Sequence, residues 1–146
     1  MQVTKARDLV AAGELRRAKG RGECSRPYVE TLYSTLYDIV SADSGFDSPY
    51  LARRDTNRRL YIVIAGDRGL AGGYNSNILK AIEADAEGAD YCVLPIGKKA
   101  VEHFERRKAA ILTTAFAEAG DLSVSDCFAL SRLVRQKFLA GELDEI

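Results

Sequence analysis

Residues 60–65 form the apolar run Leu-Tyr-Ile-Val-Ile-Ala, and a helical pattern begins near residue 75. Between them lies Asp67-Arg68-Gly69-Leu70-Ala71-Gly72-Gly73-Tyr74-Asn75-Ser76-Asn77. A strand that runs through a glycine-rich loop into a helix commits a chain to an α/β fold, and such junctions are where α/β proteins usually cradle phosphates. This one has the glycines without the phosphate chemistry. A P-loop places Lys and then Ser or Thr after its last glycine, whereas Gly73 is followed by Tyr74 and Asn75. A dinucleotide fingerprint needs glycines at the first, third and sixth loop positions, and Gly66, Gly69, Gly72 and Gly73 are spaced otherwise. Asp67 would also set a negative charge where a phosphate should sit. The stronger reading is a tight strand-to-helix turn that needs permissive backbone.

The α/β rhythm continues to the end of the sequence. The pattern predicts a helix to about residue 87, capped by Asn75 or Ser76, with Ile78, Leu79 and Ile82 inward and Gly88 as the stop. Residues 91–96 read as a second strand, 98–107 as a helix bringing Ala100, Val101 and Phe104 together, and 110–116 as a third strand. Ser123 with Asp126 resembles a capping box. It opens a last helix with Cys127, Leu130, Val134 and Phe138 on one face and Gly141 at its end. Strands alternating with helices imply a parallel sheet. The closing residues 141–146 have the look of a turn leading into another strand.

The first half differs. Residues 4–40 read as helix, with Val29, Leu32, Tyr33, Leu36, Tyr37 and Val40 on one stripe. Gly20, Gly22 and Pro27 predict a kink or short break, because proline lacks the amide hydrogen its turn would donate. At about 1.5 Å per residue such a helix exceeds the span of a small domain. It should project and require a partner helix, and the chain offers no second helix of comparable length. Before Pro27 the basic residues Lys5, Arg7, Arg16, Arg17, Lys19, Arg21 and Arg26 outweigh Asp8, Glu14 and Glu23. That bias is either a solvated face or a surface that meets an acidic protein. Residues 42–58 are linker-like, with Phe46, Tyr50 and Leu51 as possible anchors.

Composition closes several classes. Zero net charge recruits neither nucleic acid nor acidic lipid. No apolar run approaches the roughly 18 residues of a membrane span, and the start is too polar for a signal peptide. Cys24, Cys92 and Cys127 are odd in number and lack metal-ligand spacing, which fits a reducing compartment. His103, read as lying on an exposed helix face, is the only histidine and cannot build a metal site. Cys92 and Cys127 read as core positions, and Glu83, Asp85, Glu87 and Asp90 as a solvated helix end. No catalytic constellation and no cofactor site emerge, and Asp67 with Arg68 is the one polar pair to watch.

The loop closely resembles the signature of the gamma subunit of F-type ATP synthase, the central rotor stalk. The likeness is spread along the chain in order. Thr4-Lys5-Ala6-Arg7-Asp8-Leu9-Val10-Ala11-Ala12, Leu15-Arg16-Arg17-Ala18, Arg26-Pro27-Tyr28, Ile96-Gly97-Lys98-Lys99 and Gly141-Glu142-Leu143-Asp144-Glu145-Ile146 each resemble family segments. The resemblance implies a Rossmann-like parallel sheet with flanking helices, preceded by a long N-terminal helix of an incomplete coiled coil. The expected divisions are 1–41 for the helix, 42–58 for the linker and 59–146 for the central domain. It implies a non-catalytic rotor without cofactor or metal, coupling proton flow to ATP synthesis by turning inside a ring of alpha and beta subunits. Its further partners are the epsilon subunit and the membrane c-ring, without nucleic acid or membrane insertion, and its place is peripheral, on the cytoplasmic side of a bacterial cell membrane. Asp67, Arg68, Gly69, Gly72, Gly73 and Asn75 would then be structural signature residues, and Lys5, Arg7, Asp8, Arg16 and Arg17 partner contacts. Arg7 stands where the family usually has Met, Asp8 where Lys is common and Ala71 where Cys is usual. The family's first helical turns and its long C-terminal helix are missing, so the resemblance implies a fragment. The alternative is a small nucleotide-binding α/β enzyme domain using the glycine loop. A third reading is a chain that dimerises through its unmated helical stripe.

Overall fold

The computed structural model describes residues 2–42, 48–51, 54, 58–69 and 71–146, and of residues 2–10 the backbone alone. It divides into two compact units, Met1–Asp47 and Ser48–Ile146. The described part of the first unit is one helix, α1 (Gln2–Ala42). It runs unbroken through Gly20, Gly22 and Pro27, where the sequence predicts a kink or break. Proline deprives the Glu23 carbonyl of its helical donor, but Glu23 is exposed and water can serve it. Hydroxyls also feed the carbonyls of this stretch: Ser25 donates to Gly22 O at 3.0 Å and Thr31 to Pro27 O at 2.8 Å. Every α1 side chain from residue 11 onward is exposed, apart from the half-buried Gly20.

The second unit is a parallel sheet between helices. Strand β1 (Arg58–Ile64) pairs in parallel with β2 (Asp90–Ile96), in a register that sets Leu60 beside Cys92 and Ile64 beside Ile96. The predicted third strand at 110–116 is reduced to one parallel bridge between Val93 and Ile111. Its hydrogen bonds are Val93 N to Ala110 O and Leu112 N to Val93 O, both 2.8 Å. On the other edge a second bridge joins Arg59 to Glu145, with Leu60 N donating to Glu145 O at 2.9 Å. The chain around 111 therefore lies outside β2 and that around 145 outside β1. The resulting order, third-second-first-fourth, is that of a Rossmann-like sheet.

Alternation in the strands feeds two cores. On one face Leu60, Leu94, Ile96 and Phe116 pack with Val134 and Phe138 of α4 (Val124–Leu139). On the other, Val63, Ala65 and Val93 pack with Leu79 of α2 (Tyr74–Asp85) and with Ala100 and Phe104 of α3 (Lys98–Arg106). Ser123 and Asp126 form the capping box that opens α4. Gly141, at φ +74°, closes it with Glu142 N on Lys137 O at 3.0 Å. Tyr50 and Arg54 are held against the same end. Tyr50 stacks on Phe138 at 5.9 Å, Arg54 lies 4.4 Å over that ring, and Arg54 donates to Leu143 O at 2.6 Å. Leu51 is exposed, and Phe46 lies outside the described residues.

Several side chains depart from expectation. His103 is half-buried and sits 2.8 Å from Glu83 Oε1, which Arg107 also meets at 2.9 Å, so Glu83 links α2 to α3 and is not simply solvated. Cys127 is exposed rather than core, because it falls in the first turn of α4, ahead of the stretch that reaches the sheet. Asn75 and Ser76 do not cap α2: Gly73 holds the N-cap position, and Asn75 lies inside the helix.

Candidate functional site

In an open α/β sheet the place for a ligand is the crevice beyond the carboxyl ends of the strands. Here β1 ends at Ile64 and leads through Ala65 and Gly66 to Asp67, while β2 ends at Ile96 and leads through Gly97 into α3. The Asp67 carboxylate reaches across this crevice. Its Oδ1 accepts from Lys98 N at 3.1 Å and Ala119 N at 2.9 Å, and its Oδ2 accepts from Gly120 N at 2.8 Å. The chain's own carboxylate thus takes the first amide of α3 and two amides of the short turn Ala119–Asp121. These are donors of the kind a bound anion would use. The Ala119 and Gly120 amides are the main cause that holds the Asp67 pKa below the ordinary aspartate value, against a smaller opposing effect of desolvation. Ionised, it suits that role.

The rest of the loop is tied from within. Asn75 Oδ1 accepts from Gly66 N at 2.9 Å, and Asn75 Nδ2 donates to Arg68 O at 3.4 Å, so the asparagine staples the loop to the strand end. Lys99 N donates to Gly66 O at 3.1 Å. Gly72 has φ +59°, the left-handed region that glycine tolerates. Gly73 has little room, since a Cβ there would sit 3.1 Å from Asn77 Nδ2. Gly69 is exposed and nothing crowds it. Asp67 and Arg68 form no ion pair: the carboxylate faces backbone amides and the Arg68 side chain is exposed. Lys98 instead pairs with Glu118 at 2.7 Å across the same rim.

Sequence reasoning passed over Gly97 as a constrained position. At φ +93° its added Cβ would lie 2.1 Å from Ala65 O, so β1 and the start of α3 approach too closely for any side chain. The signal was an isolated glycine between an apolar run and a basic helix start. The 119–120 amides that complete the Asp67 cluster carry no side-chain signature and could be found only in three dimensions.

Among the described residues the cluster brings together no nucleophile, general base and third orienting group. Among the described residues no group of His, Cys, Asp or Glu side chains could hold a metal. A cavity of about 650 Å³ lies along α4, bordered by Tyr50, Ile62, Leu130, Val134, Phe138 and Ile146. Its lining is mostly apolar but also holds Ser131, Arg135 and Glu145, and the buried Asp144 carboxylate there is engaged by Arg58 at 3.2 Å and Arg54 at 3.8 Å.

A family model described as ATP synthase matches residues 1–146, the whole chain. The chain belongs to the ATP synthase family. Among its relatives it is 38% identical to the ATP synthase gamma chain of Ruminococcus albus, covering 100% of this chain and 52% of that one. It is 33% identical to the gamma chain of Desulforamulus reducens, over 99% of this chain and 52% of the relative, and 35% identical to that of Lachnoclostridium phytofermentans, over 99% and 50%. The chain therefore spans about half the length of the curated relatives it matches. For a member of the ATP synthase family the remaining named residues fall on α1. Arg16 and Arg17 are exposed on that helix, while the side chains of Lys5, Arg7 and Asp8 lie outside the described residues. No described helix is long and apolar enough to cross a membrane.

Proposed function

We propose that the chain serves as part of a central-stalk gamma subunit of a proton-translocating F-type ATP synthase and performs no chemistry of its own. In this reading residues 1–41 are the shaft, turning inside the ring of alpha and beta subunits with the apolar stripe on a second helix. Residues 42–58 are the connection, and 59–146 form the domain that sits beside the epsilon subunit and the membrane c-ring, on the cytoplasmic face. Lys5, Arg7, Asp8, Arg16 and Arg17 meet the ring. Asp67, Arg68, Gly69, Gly72, Gly73 and Asn75 keep the turn of the domain in shape.

The observation that carries the reading is the Asp67 carboxylate seated on the amides of Lys98, Ala119 and Gly120. An α/β domain that fills its ligand crevice with its own anion is suited to rigidity rather than turnover. The test is assembly. The chain, and a version extended by the C-terminal half of the Ruminococcus albus gamma chain, are mixed with alpha, beta and epsilon subunits and passed over a sizing column. Co-elution of the extended version with the ring is the expected result, and its failure to bind any of the three subunits overturns the proposal. Calorimetry with ATP, ADP and NAD provides the second arm. No heat is expected, whereas saturable heat lost on Gly72→Val would favour a nucleotide-binding enzyme.

A further inference from the structure

The chain entering the α/β unit and the chain leaving α4 meet at one carboxylate. Arg54 precedes β1 and Arg58 opens it, while residues 141–145 follow α4. The Asp144 side chain between them is 3% exposed. Its Oδ2 accepts from Arg58 N at 3.0 Å and Arg58 Nε at 3.2 Å, and Arg54 lies 3.8 Å from its Oδ1. Both guanidiniums also reach the backbone of the same turn: Arg54 donates to Leu143 O and Arg58 to Gly141 O, each at 2.6 Å. Arg54 lies 4.4 Å over the Phe138 ring as well, and Tyr50 stacks on that ring at 5.9 Å.

Ion pairs between exposed side chains hold little. Here the carboxylate is out of water, and its cations cannot be withdrawn without stranding a buried charge. Arg54 meets a carboxylate, a carbonyl and a ring together, which a planar guanidinium can do and an ammonium cannot. We propose that Arg54 is a rivet. It fastens the connection between shaft and domain to the end of α4, so that turning of the shaft passes into the sheet unit at Asp144 and Phe138 and is not lost in a swivelling tether. Every group in this joint belongs to the α/β unit, whatever precedes or follows it in a longer chain. The purpose of the joint rests on the gamma-subunit reading, whereas the fastening is a property of the chain itself.

Paired spin labels on the whole chain test the fastening. One label is carried by Leu51→Cys, next to Tyr50 and exposed, and the other by the exposed Cys127, in a Cys24→Ser, Cys92→Ala background. A single narrow distance distribution is expected. Arg54→Gln should broaden it about twofold, toward that of a flexible tether. Arg54→Lys, which keeps the charge and loses the planar fork, should broaden it too. The near-UV signal of the Tyr61–Tyr91 pair should be unchanged in both. If the glutamine variant loses that signal, the lysine variant decides. A broad distribution in the parent, or a narrow one in Arg54→Lys, overturns the proposal. In an ATP synthase assembled with the extended version, Arg54→Gln should lower ATP-driven proton pumping several-fold more than ATP hydrolysis. Equal loss of both would remove the joint from torque transfer. Failure to assemble would count against the gamma-subunit reading alone, since the labels need no partner.

Discussion

α1 and the α/β unit distribute apolar residues in opposite ways. The sheet unit encloses Leu60, Val63, Val93, Leu94 and Phe104 at no more than 2% exposure. The helix leaves Leu32, Leu36 and Val40 about half exposed. In the unit, strand alternation divides the side chains between two cores, each closed by its own helices. A single helix has no second layer, so its stripe stays open until another surface arrives. The difference teaches where specificity resides. The α/β unit closes two cores of its own and sets an aspartate in its crevice, whereas the stripe of α1 has no core of its own to join.

Substitutions should separate the two regions sharply, and the near-UV signal of the Tyr61–Tyr91 pair, whose rings are 5.8 Å apart, reports on the sheet unit alone. The largest loss is expected for Gly97→Ala. It adds a carbon 2.1 Å from Ala65 O at φ +93°, and combined clash and backbone strain should cost on the order of 5 kcal/mol in urea unfolding. Phe104→Ala, which empties a site only 1% exposed, should cost about 3–5 kcal/mol. If either variant unfolds like the parent chain, the picture of a closed α/β core is wrong.

Asp67→Asn comes next. It keeps the shape but replaces one accepting oxygen with an NH2 that can only donate, so at least one of the three amide bonds is lost and the others weaken, for about 1–3 kcal/mol at neutral pH. The sign of its pH dependence follows from the lowered pKa. A carboxylate whose folded value lies below its unfolded one contributes stability that is fully present above the unfolded value, about 3.9. That contribution fades as pH falls through the folded value. The gap between parent and variant should therefore be constant from pH 7 to about 5 and close in stronger acid. A gap that widens on acidification would remove the ionised carboxylate from its place on the amides.

Ser123→Ala removes the oxygen that accepts from Asp126 N at 3.2 Å and should cost about 0.5–2 kcal/mol. The smallest effect is expected from Leu32→Asp with Leu36→Asp. Both side chains are exposed, so the sheet unit should melt within about 0.5 kcal/mol of the parent chain. A large loss of sheet stability from that pair would erase the distinction between the two regions.

Much of the α/β unit was legible beforehand because its signals are local. The apolar run at 60–65, the Ser123–Asp126 box and the left-handed Gly141 each act within a few residues of themselves. The third strand was misread because β-forming residues at 110–116 say nothing of how long the backbone keeps its neighbour, and only the bridge at Ile111 survives. Asn75 was misread as a cap because its composition suits one. Its side chain serves Gly66 N instead, a partner nine residues away that no local rule supplies. Proline and two glycines suggested a break in α1 that an exposed helix, whose carbonyls water can serve, did not need.

The sequence by itself determined the alternation of strands and helices, the apolar stripe of α1 and the mismatch of the loop with the two phosphate-binding glycine motifs, since each follows from periodicity or from residue type at fixed spacing. Tertiary structure alone decided the sheet order, with Ile111 and Glu145 on opposite edges. It also decided the close approach of Gly97 to Ala65 and the convergence of three amides on Asp67. Those features depend on groups far apart in the chain whose meeting is set by packing, and backbone amides leave no mark in a sequence.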